Sequence, residues 1–241
     1  NGLPNNSVRA ISEDAEGNVW VATSEGIACI SKDWSVTVPN TGAYNDLKGT
    51  CTSLHCDRRG RMWVTTLEGG YVFEGGRFVR HEFGPEVPQG TVSFVFEDSL
   101  GTFWFGVAPH YIVKEEAGHE TVIDIEKGTT ITGIVQDQSG TLWFSSDGGI
   151  AIYKNGFLSR YDESMGLIDN SVNKLLEDRE GNIWVATDRG GILKMNKGIF
   201  KTIPVSSSVN AIAEGVDGRV WLGCNKGVVC YRVSGAEGVL A

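Results

Sequence analysis

The sequence predicts an all-β chain, a β-propeller of six four-stranded antiparallel blades, and three periodic signals predict it. Trp20, Trp63, Trp104, Trp143, Trp184 and Trp221 recur at intervals of 43, 41, 39, 41 and 37 residues, the period of propeller and solenoid repeats. Three residues before each stands a glycine, at Gly17, Gly60, Gly101, Gly140, Gly181 and Gly218. Six residues before stands an aspartate in five copies, Asp14, Asp57, Asp98, Asp137 and Asp178, with Gly215 in the sixth. Twelve residues before comes an apolar residue in every copy, Val8, Cys51, Val92, Ile131, Val172 and Val209, so the register runs without a gap.

Each unit begins with an apolar stretch of β type, turns on the Asp and Gly, and continues into a second stretch centred on the tryptophan, the pattern of a β-hairpin. An aspartate can accept from the backbone amides that follow it and a glycine tolerates positive φ, so a tight turn wants both at fixed offsets. A lone carboxylate per turn does not supply the six to eight oxygens calcium requires, and no metal site is expected there. Two positions after each tryptophan lies a small residue, Ala22, Thr65, Gly106, Ser145, Ala186 and Gly223, where a neighbouring sheet can approach. A glycine turn then leads to a third strand, such as Ile150-Ala151-Ile152-Tyr153, and a fourth, such as Phe157-Leu158-Ser159-Arg160-Tyr161. Four strands per unit make a blade, and no segment sustains the three-and-four apolar spacing of a helical solenoid. The blades fall at about 1–43, 44–86, 87–126, 127–166, 167–204 and 205–241 of one propeller domain or fragment. Equivalent placement in every repeat makes all six tryptophans inter-blade core rather than a stacking platform.

Composition narrows the function. A net charge of −9 repels phosphate backbones and anionic lipid, so neither nucleic acid nor direct membrane contact is expected of this segment. The five cysteines, Cys29, Cys51, Cys56, Cys224 and Cys230, show no metal-ligand spacing and read as small apolar residues. Cys51 and Cys56, five apart on one strand, are expected to face opposite ways. An unpaired set weighs mildly against an oxidising compartment.

The string Gly2-Leu3-Pro4-Asn5-Asn6-Ser7-Val8, continuing through Glu13-Asp14 and Gly17-Asn18-Val19-Trp20-Val21-Ala22-Thr23 to Gly26, resembles the two-component regulator propeller repeat. The fifth copy repeats it from Gly166-Leu167-Ile168-Asp169-Asn170-Ser171-Val172 to Ile183-Trp184-Val185-Ala186-Thr187. The third copy departs at Gly106-Val107-Ala108-Pro109-His110 and the sixth at Gly215. The resemblance implies the extracytoplasmic, periplasmic sensor region of a bacterial receptor whose output domain is a histidine kinase or a diguanylate cyclase, with an oligosaccharide a frequent signal. It also implies rings of seven blades, sometimes two in succession. The first blade opens directly on its inner strand at Val8 and the tail offers only Gly238-Val239-Leu240-Ala241 to the last outer strand. The ring is therefore expected to be imperfectly closed and the parent chain to continue past Ala241.

The resemblance thus implies a sensor, here expected to be non-catalytic and without a cofactor, binding a small polar ligand on the face made by the turns after the second and fourth strands. Asn5, Asn6, Lys48, Gln89, Thr130, Asp169, Asn170 and Ser207 fall on that face. Its candidate contacts are Glu25, Glu68, His110, Tyr111, Asp147, Asp188, Arg189, Asn225 and Lys226. Blade three is expected to contribute most distinctively, because Pro109-His110-Tyr111 replaces a glycine turn with a stiff one bearing an imidazole and a phenol. A protein-interaction or dimerising scaffold, contacting a second copy or a neighbouring propeller through aromatics such as Tyr44 and Tyr111, is the alternative. A propeller lyase or hydrolase is the third reading, with few groups to serve it: four histidines, of which His55, His81 and His119 fall on first or outer strands.

Overall fold

A computed structural model describes residues 2–39, 47, 50–125, 129–196, 199–205, 207–232 and 239–240. Tyr44, Lys48, Gly238 and Ala241 lie outside the described residues. Six four-stranded antiparallel sheets, the blades of a β-propeller, follow in chain order, with neighbouring strands adjacent in sequence throughout. Blade one is Val8–Glu13, Val19–Thr23, Gly26–Ile30 and Val36–Thr37. Blade five is Val172–Glu177, Ile183–Thr187, Ile192–Asn196 and Ile199–Ile203. A 3-10 turn stands at Glu163–Met165. The chain divides into two compact units, residues 1–127 with blades one to three and residues 128–241 with blades four to six. Within each unit the first strands of successive blades lie against one another.

The Asp–Gly turn forms as its chemistry requires and does more. Asp178 Oδ1 accepts the amides of Glu180 (3.0 Å) and Asn182 (2.8 Å), while Oδ2 accepts the Trp184 indole N–H at 2.7 Å. The same carboxylate-to-indole bond recurs at 2.8, 2.9, 2.8 and 2.9 Å for Asp14–Trp20, Asp57–Trp63, Asp98–Trp104 and Asp137–Trp143. One side chain therefore fixes the turn and orients the tryptophan, which satisfies the polar edge of a ring that must otherwise be buried with a bare donor. Burial resists ionisation of Asp14, Asp57, Asp137 and Asp178, but the indole and amide donors outweigh it and hold all four carboxyls below the ordinary value of 3.8.

Four oriented indoles, those of Trp20, Trp63, Trp143 and Trp184, pack on the next blade of their unit. Trp20 joins Met62, Tyr71 and Phe78, Trp63 joins Val95, Phe105 and Val113, and Trp184 joins Val220, Leu222 and Tyr231. Five tryptophans of the series are buried, but Trp221 is 41% exposed, against the expectation for all six. Gly215 gives it no carboxylate, and the indole leans in so far that a Cβ at Gly215 would lie 3.1 Å from Nε1.

Two further stitches join blades. The first strand carries a bulge one residue after its apolar start in all six copies. The extra residue turns its side chain to the next blade: Thr52 Oγ1 donates to the Val92 carbonyl (3.0 Å), Thr132 Oγ1 to Val172 (2.9 Å) and Asn173 Nδ2 to Val209 (3.0 Å). The amide after the turn aspartate donates to a glutamate of the following blade, Arg58 to Glu97 (2.7 Å), Gln138 to Glu177 (2.8 Å) and Arg179 to Glu214 (3.0 Å). The bulge also corrects the cysteine reading. The extra residue between Cys51 and Ser53 breaks the two-residue alternation, so Cys51 and Cys56 both face one cluster with Trp20 and Met62. All five cysteines are free thiols, and burial pushes that of Cys51 up to about 11.

Candidate functional site

The tips of the turns after the second strands are set by a hydroxyl that ends each strand. Thr23 Oγ1 donates to the Gly26 carbonyl (2.8 Å), Thr66 to Gly69 (3.4 Å), Ser146 to Gly149 (2.8 Å) and Thr187 to Gly191 (2.9 Å). These residues are buried, so the bonds that close the turns are shielded from water. Blade three has Val107 and blade six Cys224 at that position, so neither turn carries this hydroxyl bond.

On this face of the second unit, a depression of about 490 Å³ is lined by Glu163, Ile168, Asp169, Arg189, Gly190, Pro204 and Val205. Its wall comes from the loop before blade five, the second-strand turn of blade five and the loop that leads to blade six. Gly190 leaves room there, since a Cβ would crowd Ile168 Cγ2. Asp169 is buried and used by the backbone: Oδ1 accepts the Ser171 amide (3.0 Å) and Oδ2 the Arg189 amide (2.6 Å). Glu163 and Asn170 bond reciprocally, the Asn170 amide donating to Glu163 Oε1 (3.1 Å) and the Glu163 amide to Asn170 Oδ1 (2.8 Å). Arg189 is exposed, and its guanidinium has no hydrogen-bond or ion-pair partner among the described residues. The depression thus presents apolar walls from Ile168, Pro204 and Val205, two occupied carboxylates and one free fork of donors.

The other candidate contacts are distributed. In the second unit, Asp147 Oδ1 accepts the Thr130 amide (2.6 Å), Asp188 Oδ1 the Ser208 hydroxyl (2.8 Å), and Asn225 Oδ1 the Asn210 side-chain amide (2.6 Å). These three brace turns, whereas Lys226 is exposed. In the first unit, Glu25 edges a depression of about 410 Å³ walled by Pro4, Ile27, Val38, Pro39 and Leu47, and Glu68 edges a cleft of about 60 Å³ with Arg80 and Gln89.

His110 follows the cis Ala108–Pro109 bond and is buried, its ring 4.3 Å from that of Tyr111 and its Nε2 3.6 Å from Asp124 Oδ1. Tyr111 begins the third strand of blade three and is half-buried. His55 is structural: Nε2 accepts the Glu97 amide (3.0 Å), and burial holds its pKa below the usual histidine value, keeping the ring neutral. His119 is exposed on the fourth strand of blade three, and His81 packs beyond the fourth strand of blade two. The sequence reading named Arg189 but missed the apolar walls from Ile168, Pro204 and Val205, because their loops share no register with the tryptophan series.

The two component regulator propeller model matches residues 2–25 and 166–189, the openings of blades one and five. A comparison with curated proteins gives no significant match. Among solved structures, the chain is similar to virginiamycin B lyase from Staphylococcus aureus at 17% identity and a TM-score of 0.80, over all of this chain and 86% of that one. It is similar at 18% identity and a TM-score of 0.70 to the extracellular domain of a putative hybrid two component system from B. thetaiotaomicron, over 98% of this chain and 34% of that one. PorZ, a surface component of the type-IX secretion system of Porphyromonas gingivalis, matches at 14% identity and a TM-score of 0.69, over 92% of this chain and 38% of that one. At these identities the likeness is one of fold. The chain spans about a third of the B. thetaiotaomicron domain.

Proposed function

We propose that this chain, which carries two-component regulator propeller repeats, is the non-catalytic, ligand-sensing propeller of the extracytoplasmic part of a bacterial signalling receptor. The signal is a small polar molecule that bears an acidic group, an acidic oligosaccharide in the first instance, held in the depression beside Arg189. The observation that carries this reading is the free guanidinium of Arg189 over walls of Ile168, Pro204 and Val205, beside carboxylates whose oxygens already serve the backbone. A planar fork of donors recognises a carboxylate or sulfate bidentately, and apolar walls accept the carbon faces of a sugar ring. The repeats at 2–25 and 166–189 and the fold likeness to an extracellular sensor domain support the setting. No helix among the described residues is long and apolar enough to cross a membrane.

The test is calorimetric titration with matched neutral and acidic oligosaccharides beside an assay for their turnover. Acidic members are expected to bind and be recovered unchanged, and Arg189→Ala to weaken binding about tenfold or more, as loss of a charged hydrogen-bonding partner does. Equal binding of neutral and acidic sugars by wild type and variant counts against the site, and turnover counts against the non-catalytic reading.

A scaffold role has one observation in its favour. On blade six, Val216, Trp221 and Val228 are exposed apolar side chains. Sedimentation of the chain as a dimer, lost on Val228→Asp, supports self-association there.

A further inference from the structure

Away from the turn face, the first unit holds a second constellation of chemical groups. His81 follows the fourth strand of blade two, Arg77–Arg80, and Glu115 and Glu120 lie on the third and fourth strands of blade three, Tyr111–Glu116 and His119–Asp124. One imidazole nitrogen and one oxygen from each carboxylate lie within 4.8 Å of one another. His81 Nε2 and Glu115 Oε2 approach to 3.1 Å, and both atoms are buried without a hydrogen-bond partner.

Three features mark this as more than an incidental ion pair. Glu115 and Glu120 are direct cross-strand partners, a like-charge pairing that costs free energy unless a cation stands between them. Three neighbouring cationic side chains bond elsewhere: Arg61 to Asp57 (2.7 Å), Arg80 to Glu82 (3.6 Å) and Lys114 to Glu116 (2.7 Å). The imidazole is held rigidly, stacked on Phe105 at 5.0 Å and edged by Trp63 at 5.4 Å and Phe83 at 4.8 Å, so Nε2 is aimed at the carboxylates. Glu120 is positioned in turn by the Gly84 amide, which donates to Oε2 at 2.9 Å.

We propose that His81, Glu115 and Glu120 form a divalent-cation site of zinc type. One nitrogen and two carboxylate oxygens suit a borderline cation, and metal–ligand bonds of about 2.0–2.2 Å in a tetrahedron place neighbouring ligand atoms ~3.3 Å apart. The 3.1 Å between Nε2 and Oε2 is close to that edge. His81 and Glu115 also line an open cavity of about 600 Å³, which gives the ion an entry path and a water for its fourth position. The cation would tie the segment after blade two to the two outer strands of blade three.

The test is titration of the full chain with Zn²⁺ after chelator treatment and dialysis, followed by calorimetry and by thermal unfolding. One equivalent is expected to bind and raise the unfolding temperature. Glu120→Gln keeps the shape and the Gly84 bond, so it is expected to retain the metal-free fold while losing about tenfold or more in affinity. His81→Gln is expected to do the same, and if that variant fails to fold, Glu120→Gln decides. Co²⁺ in place of zinc is expected to give the strong visible absorption of a tetrahedral site. Absence of a one-to-one event, or binding that survives Glu120→Gln unchanged, would overturn the proposal.

Discussion

Asp178→Ala is expected to lower the unfolding temperature of the chain by about 10 °C, the largest effect among the turn aspartates. The carboxylate serves four donors, the Trp184 indole, the Asn182 amide, the Asn182 side chain and the Glu180 amide, with the Lys194 ammonium 3.7 Å away. Trp184 and Asn182 are buried and only the Asn182 side chain keeps another acceptor, Glu180 Oε2 at 3.3 Å, so the indole and the Asn182 amide are left where water does not reach, at about 1–3 kcal/mol each. A total of about 4 kcal/mol corresponds to that shift in a chain of this size. Lys194, stacked 5.0 Å over the Trp184 ring, also loses a counter-charge. The same change at the half-buried Asp14 is expected to cost only about 1 kcal/mol, because water can replace the carboxylate there. The acid limb follows the same logic. Asp14, Asp57, Asp137 and Asp178 have folded-state pKa values below 3.8, so their contribution is complete above about pH 4 and fades as pH falls through those lowered values. Unfolding followed by circular dichroism from pH 7 to pH 2 is expected to show wild-type stability fall below pH 4 and the deficit of Asp178→Ala narrow there. A deficit that stays constant to pH 2 contradicts an ionised clamp.

Gly149→Ala is expected to cost a similar amount for a different reason. Gly149 sits at φ 106°, which an L-residue adopts only under strain, and its added Cβ would lie 2.5 Å from the Tyr161 carbonyl oxygen and 3.3 Å from Asp162 Cα. The obstruction is backbone, with no rotamer to relieve it, so strain of about 1–3 kcal/mol and overpacking of about 1–3 kcal/mol combine. Gly227 occupies the same place in blade six at φ 132° with nothing within 4 Å of its Cβ. Gly227→Ala therefore meets strain alone, and its loss is expected to be no more than half as large. Chemical denaturation of the two variants checks the ratio, and equal losses would mean that φ alone, not the Tyr161 contact, governs these turns.

Much of the architecture was legible because it repeats. The tryptophan, glycine and aspartate offsets located the first two strands of every blade, and the hydrogen-bonding habit of aspartate predicted the turn it closes. The bond from that aspartate to the indole was not read, although the fixed six-residue spacing was in view, because spacing does not show that a side chain reaches across a turn to the next strand. The bulge hid behind the apolar residue it follows. Thr52, Ser93, Thr132, Asn173 and Asn210 form a column of small polar residues, and only the pairing shows that they stand outside the alternation. That single extra residue is also why Cys51 and Cys56 share a face.

The candidate site was legible in part. Arg189 was named from its place at a turn tip, but what surrounds it depends on residues 163–169 and 204–205, which lie in loops between blades and follow no period. His110 stood out as a departure from the template, and the structure buries it, because without the glycine turn the ring folds back against Tyr111. Trp221 shows the converse limit: its offsets to Gly218 and Val209 hold, yet it is 41% exposed in the one copy where Gly215 replaces the aspartate that binds the indole elsewhere.

The central claim is that the turn face around Arg189 receives a ligand without transforming it. The most direct measurement is backbone chemical-shift mapping of the isotope-labelled chain during titration with an acidic oligosaccharide, with the sugar monitored in the same samples. The account predicts shifts that saturate together at Ile168, Asp169, Arg189, Gly190 and Val205, with the sugar intact throughout. Shifts confined to the opposite turns around Gly17, Gly60 and Gly140, or the appearance of cleaved sugar, would contradict it.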